Sequence, residues 1–86
     1  MLNLFKPIKK IKINYIVPQV GTRHIVPVEV KVYDDMGSEI ARLVNEEKSS
    51  GIHEVEYDVT GLKRGIYFYQ VYAGSFVSMR EMIEIK

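Results

Sequence analysis

The stretch VEVKVYDDMGSEIARLVN, Val28 to Asn45, decides the fold. Val28, Val30 and Val32 stand two residues apart, so an extended chain puts all three on one face and Glu29 and Lys31 on the other. Asp34, Asp35 and Gly37 then supply turn chemistry: aspartates that bond their own backbone, and a glycine free to take positive φ. Ile40, Leu43 and Val44 resume the apolar signal with a slip in parity, which predicts a bulge on the returning strand. The stretch therefore reads as a β-hairpin on which the rest of the chain is built.

Working outward, Ile8–Val17 reads as a strand with Ile11, Ile13 and Tyr15 on one face and Lys10, Lys12 and Asn14 on the other. Pro18 ends it, Gln19–His24 turns around Gly21, and Pro27 stands where the next strand starts. Downstream, Asn45–Gly51 (NEEKSSG) reads as a polar loop. Ile52–Val59 is a strand presenting His53, Val55 and Tyr57 on one face. The connection Thr60–Gly65 contains Leu62, expected to plug the end of the core. Ile66–Ala73 (IYFYQVYA) is the most strongly β-forming segment and is apolar on both faces, as suits a central strand covered on both sides or bordering a partner. Ala73-Gly74-Ser75 is a tight turn. Phe76–Lys86 returns as a last strand in two pieces, with a bulge near Arg80–Glu81 where the alternation changes phase. Six or seven short strands without a helical period indicate an all-β, immunoglobulin-like antiparallel β-sandwich. Residues 1–7 read as an irregular lead-in or linker and residues 8–86 as a single domain.

The totals exclude several classes of function. A chain of 86 residues buries only roughly 60–65% of its unfolded surface, so stability is modest. It has no cysteine, hence neither disulfide nor thiolate metal site. A net charge of +1 argues against a nucleic-acid binder. Lys6, Lys9, Lys10 and Lys12 cluster near the start, but they alternate with isoleucines and read as a solvated or edge-guarding strand face. No apolar run reaches the ~18 residues of a membrane-spanning helix, so stable membrane insertion is not expected. The N-terminus lacks the apolar core of a signal peptide.

Catalytic chemistry has little to stand on. His24 and His53 are the histidines, and no serine sits in a nucleophile-elbow pattern. His53 reads as a strand residue at a sheet rim. Asp34, Asp35 and Glu39 lack the ligand spacing of a calcium loop and read as turn-stabilising carboxylates. The six tyrosines read as core area with polar tips rather than as a binding platform. The expectation is a domain that is not an enzyme and uses no cofactor.

Taken in order, Asn3-Leu4-Phe5-Lys6-Pro7, Tyr15-Ile16-Val17-Pro18, Val30-Lys31-Val32-Tyr33-Asp34 with Gly37, Leu43-Val44-Asn45, Gly51-Ile52-His53-Glu54-Val55, Tyr57-Asp58, Leu62 then Gly65-Ile66-Tyr67-Phe68-Tyr69, Ala73-Gly74 and Met82 to Lys86 carry a family likeness. The chain resembles the C-terminal sorting domain, type A, of proteins exported by the bacterial type IX (Por) secretion system. It is also similar to the immunoglobulin-like domain of flagellar hook-capping proteins, whose implied role is that of a structural or assembly module.

The resemblance implies a β-sandwich at the end of a larger exported protein, so the chain is expected to be a fragment with its parent cargo domain upstream. The implied partners are the outer-membrane secretion machinery and a sortase-like peptidase that cuts the domain off. The implied route is the periplasm in transit, then secretion or the cell surface. The recognised signal falls on Arg80, Met82, Ile83, Ile85 and Lys86, in a terminal strand whose free edge suits strand addition. Two departures stand out: Tyr57 occupies the position of the family's usual tryptophan, and Glu81 that of its usual lysine, with Arg80 adjacent.

Overall fold

The computed structural model describes residues 8–86; the lead-in expected over residues 1–7 lies outside the described residues. The hairpin forms as expected. Strand β2 (Ile25–Tyr33) and strand β3 (Glu39–Ser49) pair antiparallel. Asp34 Oδ1 accepts the backbone N–H groups of Met36 and Ser38, each at 2.9 Å, and Gly37 takes a φ of 87°. The parity slip is physical. Val30 stands opposite Val44 but Lys31 opposite Arg42, and Val32 opposite Ala41 but Tyr33 opposite Glu39. Leu43 and Ile40 are the extra residues of two bulges, which return the side chains between them to their proper faces.

The expected loop at Asn45–Gly51 is instead strand. Glu46, Glu47, Lys48 and Ser49 extend β3 opposite Val28, Pro27, Val26 and Ile25. Pairing overrides their low β-propensity, and an outer strand leaves their side chains near water. At Ser50, whose N–H donates to the His24 carbonyl at 3.0 Å, the chain crosses to a second sheet. There strand β4 (Gly51–Asp58) pairs antiparallel with strand β1 (Lys10–Val17). Strand β1 begins two residues later than Ile8, which is exposed.

The larger sheet continues from β2 to strand β5 (Gly65–Ala73), which pairs on its far side with strand β6 (Phe76–Val77) and strand β7 (Glu81–Ile85). The result is a sandwich of a two-stranded and a five-stranded antiparallel sheet, with no helix among the described residues. Between the sheets lie Ile13, Tyr15 and Val17 from β1, Val26, Val28, Val30 and Val32 from β2, and Val71 and Ala73 from β5. Each side chain follows the alternation of its strand. The plug expected of Leu62 is supplied by Val59, which is 1% exposed, whereas Leu62 is half-buried. The Val59 N–H donates to the Lys9 carbonyl at 2.9 Å, fixing that valine under the start of β1.

Lys10 and Lys12 lie on the outer face of the small sheet, paired across the strands with Glu56 at 3.5 Å and Glu54 at 4.0 Å. The basic cluster is thus, over its described part, a solvated strand face, with pairs worth under ~1 kcal/mol each.

Candidate functional site

The terminal segment reaches β5 in two pieces because it carries one residue too many. Tyr72 stands opposite Val77, but Tyr69 stands opposite Glu81. Ser78, Met79 and Arg80 therefore face only Val71 and Gln70, which is a bulge at the expected place. Side chains repair the interrupted ladder. Ser78 Oγ accepts the Val71 N–H at 2.9 Å and donates to the Met79 carbonyl at 2.8 Å, while Gln70 Nε2 donates to the Ser78 carbonyl at 2.7 Å.

Those bonds also orient β7. The Val71 carbonyl accepts the Ser78 N–H at 2.9 Å, so both backbone groups of Val71 face the terminal segment. Alternation along β5 extends this to Tyr69, Tyr67 and Gly65, whose opposite residues are Glu81, Ile83 and Ile85. Met82 and Glu84 between them turn their N–H and C=O groups outward, where no strand of the described residues receives them. Strand β1 presents a second edge that pairs with no strand of the described residues. Lys9 bonds toward Val59 and Thr60, so Lys12, Asn14 and Ile16 face away from β4. The Asn14 carbonyl accepts the Tyr69 hydroxyl at 3.4 Å, and Lys9 Nζ reaches the Lys86 carbonyl. Between these bridges a groove of about 420 Å³ runs past Ile11, Ile13, Met82 and Ile83. Burial, and secondarily the nearby Glu81, raises the Tyr69 phenol above its ordinary pKa.

The five residues expected to carry the signal do not form one surface. Ile85 is 4% exposed and Ile83 half-buried, both on the core side. Met82 projects from the opposite face, Lys86 ends the strand, and Arg80 lies flat on the outer face of the large sheet. The guanidinium of Arg80 sits 3.9 Å from the Tyr33 ring centroid and donates through Nε to Gln70 Oε1 at 3.4 Å. The Tyr33 hydroxyl donates to Tyr72 at 2.7 Å, and Tyr72 donates to Gln70 Oε1 at 3.0 Å. Burial first, then the bond to Tyr72, pushes the Tyr33 pKa up to about 12. Sequence reasoning missed this network. Its one signal was Gln70, the single amide in an otherwise apolar and aromatic strand.

The other candidates are structural in their contacts. His53 stacks on Tyr15, centroids 5.5 Å apart, and its Nε2 bonds the Ser49 carbonyl at 2.7 Å. His24 is exposed. Asp34 spends its carboxylate on the hairpin turn, and no group of three metal-ligating side chains occurs among the described residues.

A family model described as the secretion system C-terminal sorting domain matches residues 8–86. No curated protein and no solved structure matches the chain.

Proposed function

The chain belongs to the family of secretion system C-terminal sorting domains, and on that premise we propose that its terminal strand is the element read by the outer-membrane translocon of the type IX system. The domain directs a larger exported protein upstream of it through the periplasm and out, to the medium or the cell surface. A sortase-like peptidase then removes the domain, which performs no catalytic step of its own.

One observation carries this reading. Among the described residues strand β7 is the outer strand of its sheet, and the backbone groups of Met82 and Glu84 face no other strand. An edge of that kind supports recognition by strand addition, in which main-chain bonds give affinity and alternate side chains give specificity. Here the alternate side chains are Met82, on the outer face, and Ile83, at the groove.

The test is a fusion of the whole chain behind a periplasmic reporter in a host carrying the secretion system. The intact fusion reaches the medium or the cell surface, and the same fusion lacking Ile83–Lys86 stays in the periplasm. Equal behaviour of the two overturns the reading.

A further inference from the structure

Arg80 joins two regions far apart in sequence. Its guanidinium covers Tyr33, the last residue of β2, and its Nη1 lies 4.0 Å from where a side chain on Gly37 would begin, in the hairpin turn. Its Nε reaches Gln70, whose amide also holds the Ser78 carbonyl. The residue immediately before β7 is thus tied to the hairpin and to the centre of the sheet at the point where the bulge breaks the backbone ladder.

We propose that Arg80 is a positioning residue, a planar clamp that holds the start of β7 against the hairpin, and that it serves sorting through the strand it holds rather than as a charge read by the machinery. The sorting part rests on the reading that β7 is recognised. The chemistry favours arginine specifically. A guanidinium stacks flat on a ring while donating sideways to an amide, and a lysine ammonium does not do both. The bulge gives the clamp its purpose. Three residues opposite two leave the first turnout of β7 short of backbone bonds, and side chains replace them. Met79, in the same bulge, is 83% exposed and gives no anchorage.

The experiment uses the full chain and its reporter fusion, with Arg80→Lys, Arg80→Ala and Tyr33→Phe, and reads two quantities. The first is amide hydrogen exchange over Glu81–Ile85 relative to Val28–Val32; the second is export of the fusion. Arg80→Lys keeps the charge and is exposed, so it folds. It is expected to speed exchange at Glu81, Ile83 and Ile85, whose N–H groups face β5, roughly fivefold and to lower export as much as Arg80→Ala does. Tyr33→Phe keeps the ring face and is expected to preserve both. Parental exchange in Arg80→Lys overturns the clamp. Faster exchange with undiminished export overturns its role in sorting, and export kept by lysine but lost with alanine shows a charge being read instead. Truncation of Ile83–Lys86 tests the underlying reading separately, because exchange in the point variants reports on the clamp whether or not β7 is the recognised strand.

Discussion

The two edges of the large sheet are built differently. On one side β3 runs 11 residues against β2, tolerates two bulges, and closes on a turn whose aspartate receives two backbone N–H groups. On the other, β6 and β7 contribute 2 and 5 residues, and one bulge between them is bridged by Ser78, Gln70 and Arg80. The hairpin is anchored by four valines of β2 that are at most 1% exposed, whereas β7 has one fully buried side chain, Ile85. Each buried aliphatic side chain contributes about 1.5–3 kcal/mol. The hairpin therefore belongs to the global fold, and the terminal strand is its most separable part. Low local stability suits the engagement by another protein that is proposed for this strand.

Substitution in the hairpin should have the largest effect. Val30 is completely buried on an inner strand of the large sheet, in a cluster that contains no charged side chain. Val30→Asp is expected to cost more than about 4 kcal/mol and to leave the chain unfolded, as far-ultraviolet circular dichroism would show. A folded Val30→Asp variant would break the contrast at its stronger end.

Ile85→Ala sharpens the other end. Loss of a buried isoleucine costs about 2–5 kcal/mol when the whole fold depends on it. The expectation here lies near the low end of that range, with exchange rising over Glu81–Ile85 well before it rises over Val28–Val32. If denaturant unfolding and exchange respond together at both sites, β7 is not separable and the comparison fails.

The sequence carried the hairpin openly. Val28, Val30 and Val32 declare their face by alternation, and the slip between Ile40 and Val44 is visible because apolar residues mark it. The bulge before Glu81 was legible for the same reason: the alternation changes phase between Met79 and Met82. What stayed hidden depends on partners. Glu46–Ser49 is strand only because Ile25–Val28 lies beside it, and Val59 outranks Leu62 as the plug because Lys9 fixes its backbone. The residues expected to carry the signal were read from one terminal segment, and their division between core and surface follows only from the register with β5. Arg80 on Tyr33 is invisible to any local pattern, since the two meet only across the finished sheet.

The smallest effect concerns the contact that joins the two edges. Tyr33 lies under Arg80 with its hydroxyl committed to Tyr72, and its pKa stands at about 12 against 10.0 for an ordinary tyrosine. A raised folded pKa means the native state holds the phenolic proton more tightly than the unfolded chain does. The associated stability is complete below pH 10 and is lost as pH rises through about 12. At about pH 10 the loss is a few tenths of a kcal/mol, growing steadily above it. Alkaline titration of denaturant stability should show this slope in the parent and a weaker one in Tyr33→Phe, which has no proton to lose. A slope unchanged by Tyr33→Phe would mean that the aromatic network covers the sheet without tying its two edges together.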